Sequence, residues 1–470
     1  MKSIKIPREL KKMNEIFESG GFEAFLVGGA VRDFFLGKNG SDWDVATNAR
    51  PEDVQKLFKK VIPTGIAHGT VTVHLLGKEI EVTTYRADGK YSDGRHPDSV
   101  SFAATIEDDL SRRDFTMNAL AASLKDGKII DPFGGKNDIK CRTIRSVGVA
   151  RDRFLEDGLR PIRAIRFSAQ LQFRIERETL DAITLPEVRE KIRSISMERF
   201  RDELSKILSY EEPSNSLKLM ERTGILSDFL PELAICRGVA QADVRGFHEF
   251  DVLDHSFYAC DGAPRENAIV RLAALFHDIG KKDAQTSEIV EIPRGSGQMH
   301  NIIHFHKHEE YSAEKVVPIL TRLKYPNAVI ERTAHLIKNH MFFFNDSWSD
   351  AAIRRFIVRI RPDCVDDILA LWKADIYGMH RRPVAPGSQT AENMNRLRER
   401  IEKLEKEATA LSLKDLAVNG TDLISIGINP GKMLGRILEE LFQCVLDDPE
   451  MNERDRLLLV AQKLNERYTM

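Results

Sequence analysis

Asp42 and Asp44 stand two apart in Ser41-Asp42-Trp43-Asp44, shortly after Leu26-Val27-Gly28-Gly29-Ala30-Val31-Arg32-Asp33. On a strand, side chains at i and i+2 project from one face, so both carboxylates can hold the same hard cation. Two glycines ending a strand let the backbone approach a ligand closely, and a following helix aims unpaired N–H groups at phosphate oxygens. Gly28 and Gly29 therefore suit a phosphate-bearing ligand, and Arg32 adds a fixed cationic fork. Glu81, in Ile80-Glu81-Val82-Thr83-Thr84-Tyr85, is the expected third carboxylate from an adjacent strand, preferred to Glu79 on the same face. Phosphoryl transfer asks mainly for charge neutralisation and in-line positioning, which a two-metal carboxylate site supplies. The spacing thus predicts a catalytic set of Asp42, Asp44 and Glu81, with Asp42 and Asp44 as ligands of a hard cation.

A second group has metal-ligand chemistry of another kind. Leu275-Phe276-His277-Asp278-Ile279-Gly280-Lys281 reads as helical, and an adjacent His and Asp can put two ligands on one cation. His255 upstream and Asp375 downstream complete an H…HD…D order. His308 and His340, with His304 and His306, offer further ligands and leave a second metal open. Imidazole and carboxylate together suit a divalent cation, whose bound water becomes a nucleophile for phosphoesters.

The elements that must position these residues follow from periodicity. The chain has 470 residues, enough for two to four domains, and its 42% hydrophobic and 30% charged composition supports packed cores. Its net charge of -2 means that any nucleic-acid site must arise from local charge segregation. Five scattered cysteines without a C-x-x-C pair disfavour a zinc ribbon or a disulfide framework. The first residues lack the apolar core of a signal peptide and no apolar run spans a bilayer, so no membrane partner and a cytoplasmic location are expected. Residues 22–27, 71–75 and 80–85 alternate as strands do, whereas spacings of three and four dominate from about residue 150. Breaks are predicted near residues 132–135, 237–247 and 381–388. Met394, Leu397, Ile401, Leu404, Ala408 and Leu411 read as an amphipathic hairpin or short coiled coil.

The conjunction of glycine turn, helix and Asp-x-Asp pair resembles the nucleotidyltransferase superfamily. Asp109-Leu110-Ser111-Arg112-Arg113-Asp114-Phe115-Thr116-Met117-Asn118-Ala119 is similar to the second motif of class II tRNA nucleotidyltransferases and bacterial poly(A) polymerases. Asp131-Pro132-Phe133-Gly134-Gly135 and the segment from Phe154 to Phe167 extend the likeness, and the H…HD…D order resembles the HD phosphohydrolase domain. The resemblance implies an α+β protein. A small mixed-sheet nucleotidyltransferase head (1–140) would precede an all-helical neck and body (141–245), an HD domain (246–380) and a tail (381–470).

The same resemblance implies roles and partners. Arg113 and Asp114, with Arg112 as an alternative, would contact ribose and phosphate, and Arg163 and Arg166 would support triphosphate or base. Asp157 and Arg160, three apart, would share a helical face. A carboxylate accepts from the exocyclic amine of cytosine or adenine while a guanidinium donates to the neighbouring ring nitrogen, a pattern that uracil and guanine reverse. Pro161 is expected to kink that helix. The partners implied are the tRNA 3′ end, CTP and ATP. Residues 86–97 resemble the loop of enzymes that add the terminal A, and residues 64–71 resemble the tRNA-specific branch. Addition of CCA and addition of A alone both stay open. A poly(A) polymerase and a chiefly HD-type phosphohydrolase are the alternatives. Mg²⁺ at the head and a divalent cation at the HD site are the implied cofactors, and Lys432 and Arg436 of the tail are candidate tRNA contacts.

Overall fold

The computed structural model describes residues 3–38, 42–66, 69–87, 101–102, 105–241, 244, 246, 248–407 and 411–469. The chain forms two compact units, Met1–Ile235 and Cys236–Met470. The division falls beside the break predicted at 237–247. Most of the loop expected at 86–97 lies outside the described residues, as does Ala408.

A seven-stranded mixed sheet organises the first unit. Its spatial order is Val61–Gly65, Thr70–Leu75, Lys78–Thr84, Asp44–Thr47, Ala24–Val27, Ala121–Ser123 and Ile129–Ile130. Ala24–Val27 is buried along its whole length, as a central strand covered on both faces must be. In Lys78–Thr84 the period of two sends Ile80, Val82 and Thr84 into the core, leaving Glu81 and Thr83 on the opposite face. Register then does the positioning. Asp44 is the parallel partner of Glu81 and the antiparallel partner of Val27, so both carboxylates lie beside the strand end that leads into Gly28.

The Asp-Pro-Phe-Gly-Gly motif is a helix start. Asp131 accepts from the backbone N–H groups of Gly135 (2.7 Å) and Lys136 (3.1 Å), satisfying two donors of the helix Gly135–Lys140. A Cβ on Gly135 would lie 2.0 Å from the carbonyl oxygen of Thr116, which only glycine permits.

Helices follow the sheet. Asp157 does not share a helix with Arg160, contrary to expectation. It caps Ala150–Glu156 in extended conformation, and a new helix runs over Leu159–Leu171. Pro161 therefore occupies the first turn of that helix, where N–H groups have no intrahelical acceptor, and it neither interrupts nor kinks it. Leu159–Leu171 packs on Met197–Leu208 and Pro213–Arg222, and Phe200 stacks on Phe229 with centroids 4.1 Å apart.

The second unit is helical, with one antiparallel hairpin, Gln285–Glu291 with Met299–Phe305, that the periodicity did not reveal. Helices Val252–Gly262, Ala268–Phe276, His308–Arg322, Asn327–Lys338 and Val365–His380 surround the histidines. The amphipathic stretch is a single helix, Gln389–Lys406, with Met394, Leu397, Ile401 and Leu404 buried. Leu423, Ile437, Leu441, Val445 and Leu457 form a separate core beyond it. No helix among the described residues is long and apolar enough to cross a membrane.

Gly135→Ala is expected to destabilise the first unit by about 1–3 kcal/mol through backbone displacement. Gly37→Ala, in open space at positive φ, is expected to lose only ~1 kcal/mol. Denaturant titration of both variants checks the order.

Candidate functional site

A cleft of about 560 Å³ lies at the strand ends of the first unit. Its wall brings together Gly28, Gly29, Arg32, Asp44, Glu81, Arg112, Arg113, Asp114, Asp157, Arg160, Arg163 and Arg166, twelve of the thirteen residues expected there. Asp42 is the thirteenth. It is exposed and lies two residues before the strand Asp44–Thr47, outside the strand on which the i, i+2 argument placed it. It remains electrostatically coupled to Asp44.

Gly28 adopts φ +67°, and a Cβ there would meet Arg113 Nη1 at 2.8 Å and Asp44 Oδ2 at 3.9 Å. The glycine bend is thus in direct apposition to the carboxylate. Enclosure by the cleft walls and the adjacent charge of Glu81 hold the Asp44 carboxyl above its ordinary value, with Asp42 adding to them and Arg113 opposing. A site that gathers negative charge next to a glycine bend, with one carboxylate under strain from its neighbours, fits a hard divalent cation.

Eight arginines line the same cleft against four carboxylates, the local segregation that the net charge of the chain conceals. Most are held by acids. Arg112 donates to Asp109 Oδ1 (3.0 and 2.8 Å) and Arg113 to Asp109 Oδ2 (3.2 Å). Arg163 grips Asp114 Oδ2 in a fork (2.9 and 2.7 Å), while Asn118 donates to Asp114 Oδ1 (3.1 Å). Burial alone would raise the Asp114 carboxyl, but Arg163 and Asn118 outweigh it and hold it below the ordinary range. Arg32 donates to Asn118 Oδ1 (2.8 Å) and Arg166 to Glu203 and Gln170.

Asp157 and Arg160 both face the cleft without pairing with each other among the described contacts. Asp157 accepts from Arg199 (3.0 and 2.9 Å), whereas Arg160 donates to Glu156 (2.6 Å) and to the Arg112 carbonyl (2.9 Å). A simple i, i+3 salt bridge is therefore not what this pair forms. Arg199, Asp109, Asn118 and Glu203 were missed by sequence reading. The phrase Ser196-Met197-Glu198-Arg199 carries a helix cap, and nothing local marks Arg199 as part of a site 42 residues away.

In the second unit, His255, His277, Asp278 and Asp375 converge as predicted. His255 Nε2 lies 3.2 Å from Asp278 and 3.1 Å from Asp375, and His277 Nε2 lies 3.3 and 3.4 Å from the same oxygens. Burial disfavours a charge on His277, yet the two carboxylates outweigh it and raise the imidazole to about 10. His308 and His340 adjoin Asp278. His304 and His306 do not join the cluster by any described contact: His304 contacts Glu288 across the hairpin, and the two rings stack. Arg436 of the tail lies over the Tyr468 ring at 4.4 Å.

The family model for the poly A polymerase head domain matches residues 24–145, and that for the RNA and SrmB-binding site of polymerase A matches 172–236. A tRNA nucleotidyltransferase domain 2 model matches 302–461. The chain belongs to the tRNA nucleotidyltransferase and poly(A) polymerase family. Among curated members, a CCA-adding enzyme from Lactobacillus delbrueckii subsp. bulgaricus is 47% identical over 220 residues, 47% of this chain and 54% of the relative. One from Geobacillus stearothermophilus is 48% identical over 214 residues, 46% of this chain and 52% of the relative. The match spans about half the length of these curated relatives. The crystal structure of the Bacillus stearothermophilus CCA-adding enzyme in complex with CTP matches over 98% of each chain, at TM-score 0.72 and 28% identity. The Thermotoga maritima CCA-adding enzyme complexed with tRNA_CCA shares the fold, at TM-score 0.55 and 20% identity over 97% of this chain and 94% of that one.

In this family member the raised Asp44 has a thermodynamic consequence. A carboxyl that holds its proton more tightly when folded makes the folded state lose stability as pH rises from 3.8 through the raised value. Asp44→Asn is expected to raise the melting temperature of the cation-free protein at pH 7, with the gain shrinking as pH falls toward 3.8. Thermal denaturation in a chelator across pH checks both sign and trend.

Proposed function

We propose that the chain adds CCA, or its terminal A, to the 3′ end of tRNA from CTP and ATP without a nucleic-acid template. The observation that carries this reading is the cleft itself. It joins Asp44 and Glu81 in strand register, a glycine bend and eight arginines in one space sized for a nucleotide. Similarity to CCA-adding enzymes over both units supports it.

Asp42, Asp44 and Glu81 would hold Mg²⁺, whose charge when bound favours ionisation of the RNA 3′ hydroxyl and departure of pyrophosphate. The chain's own residues bind and orient. The backbone at Gly28 and Gly29 lets the triphosphate approach, and Arg113 and Arg163 neutralise it. Asp109 positions Arg112 and Arg113, and Asp114 positions Arg163. Asp157 accepts from the exocyclic amine of C or A, and Arg160 donates to the adjacent ring nitrogen. Arg199 holds the Asp157 carboxylate in place. We further assign residues 1–140 to a head, 141–245 to a neck and body, 246–380 to an HD domain and 381–470 to a tail that meets tRNA.

Three tRNA transcripts, lacking CCA, lacking the final A, and complete, given CTP and ATP separately and together, test the reading. Addition that stops at CCA supports it; a long A homopolymer on a generic RNA would replace it with poly(A) synthesis. Asp44→Ala is expected to lower incorporation by on the order of 10²-fold or more. Asp157→Ala and Arg160→Ala are expected to admit UTP and GTP by roughly 1–3 kcal/mol of lost discrimination. An equal loss with every nucleotide would remove the base-reading role.

The convergence of buried His255, His277 and Asp278 with Asp375 favours a second reading for the other unit, an HD-type divalent-cation site able to hydrolyse phosphoesters. Hydrolysis that survives Asp42→Ala with Asp44→Ala and disappears with His277→Ala would establish it.

A further inference from the structure

We propose that Asn118 is a positioning residue for nucleotidyl transfer: its side-chain amide, anchored on Asp114, holds the Arg32 guanidinium against the glycine bend where the triphosphate enters. This role rests on the nucleotidyl-transfer reading of the cleft and requires no contact between Asn118 and the nucleotide.

Arg32 lies beside the bend itself. A Cβ on Gly29 would meet Arg32 Nη2 at 3.5 Å, and Arg32 is buried although it lines the cleft. Asp33 Oδ1 accepts from Arg32 Nε (2.9 Å) and lies 2.8 Å from Nη2, while Arg32 Nη1 donates to Asn118 Oδ1 (2.8 Å). A guanidinium has five N–H donors, so these contacts leave others over for a ligand. Asp33 is the next residue on the same short helix and moves with Arg32. Asn118, 86 residues further on, ties the guanidinium to a second element.

One orientation of the amide satisfies both of its neighbours. A guanidinium only donates and a carboxylate only accepts, so the amide oxygen faces Arg32 and the amide nitrogen faces Asp114. Asn118 Nδ2 donates to Asp114 Oδ1 (3.1 Å), which also accepts from the Phe115 N–H (2.8 Å), and Asp114 Oδ2 carries the Arg163 fork. With four donor contacts on its two oxygens, Asp114 is a fixed anchor. Asn118→Asp would set a second carboxylate against Asp114 Oδ1, at the 3.1 Å now spanned by a hydrogen bond. An aliphatic side chain would leave both Arg32 and Asp114 short of a partner.

The turn that carries Asn118 is pinned from behind. Thr116–Asn118 is a single 3₁₀ turn in which the Asn118 N–H donates to the Phe115 carbonyl (2.9 Å). Thr116 Oγ1 donates to Asp138 (2.6 Å) of the helix Gly135–Lys140, and the Thr116 N–H donates to the Arg145 carbonyl (2.9 Å). Gly135 fits against the Thr116 carbonyl because it has no side chain. The Asp-Pro-Phe-Gly-Gly helix start thereby acts on the cleft at a distance, by fixing the turn from which Asn118 reaches Arg32. Arg32 and Arg163 also approach one aromatic ring, that of Phe167.

Steady-state incorporation of CMP from CTP into a tRNA transcript lacking CCA, by the full chain, separates positioning from folding. Asn118→Ala is expected to raise the KM for CTP about tenfold and to change kcat and the KM for tRNA by less than about twofold, as loss of one hydrogen bond to a charged group predicts. In an Arg32→Ala background the same substitution should cost less than about twofold more in kcat/KM, because the group it positions has gone. Asn118→Asp keeps an acceptor for Arg32 but opposes Asp114, and its KM for CTP should stay raised. An equal loss in both backgrounds, a fall in kcat with both KM values unchanged, or parent-like kinetics in Asn118→Asp overturns the role. Should Asn118→Ala not fold, Asn118→Asp decides: a raised KM for CTP with an unchanged KM for tRNA supports the role, and parent-like kinetics overturn it. A parent chain that adds nothing to any transcript overturns the nucleotidyl-transfer reading and this role with it.

Discussion

Holding many guanidinium groups in one half-enclosed cleft is the constraint on which the first unit depends. Two unit charges ~5 Å apart repel by roughly 3 kcal/mol at an effective dielectric of about 20, and eight arginines share this space. The chain answers with acids set behind the cations. Asp109 takes Arg112 and Arg113, Asp114 takes Arg163, Asp157 takes Arg199, Glu156 takes Arg153 and Arg160, and Glu203 takes Arg166. Asp109, Asp114 and Glu203 are buried, so their ion pairs feel little screening and hold the guanidinium groups in fixed directions. A polyanion entering the cleft meets cations already ordered, and it need not organise them.

The two units place carboxylates and imidazoles by different means. In the first, strand register sets Asp44 beside Glu81, and the period of two keeps both off the core face. In the second, the clustered histidines sit near helix ends: His277 closes Ala268–Phe276, His308 opens His308–Arg322, and His340 follows Asn327–Lys338. A helix C-terminus offers free carbonyl groups, and His277 and His340 lie against those of Ala274 and Ile337, whereas His308 lies against the carbonyl of Phe305 at the end of the hairpin.

Much of this was legible in the sequence where the signal was local. The alternation around Glu81, the glycine pair and the H…HD…D order each named residues that the fold brings together. Spacing misled where a helix boundary intervened: Asp157 and Arg160 meet the same cleft, but through a turn at Gly158 and not along one helical face. Asp42 was placed on a strand that begins two residues later. The partners that organise the arginines were invisible because they come from far along the chain, Arg199 reaching Asp157 and Glu203 reaching Arg166. The hairpin at 285–305 escaped because its outer residues are polar or exposed on one strand, which leaves little apolar alternation to read.

Phe167 gives the cleft a neutral centre. Its ring is approached by Arg166 at 4.0 Å, Arg163 at 5.4 Å and Arg32 at 5.5 Å, measured to the centroid. An aromatic quadrupole attracts cations without adding a charge of its own, so it can draw three guanidinium groups together and leave their field on the ligand undiminished. A carboxylate in that place would cancel the field, and an aliphatic side chain would offer volume without attraction. Of the side chains that could fill this space, a flat, electron-rich ring alone supplies both properties, a requirement set by electrostatics.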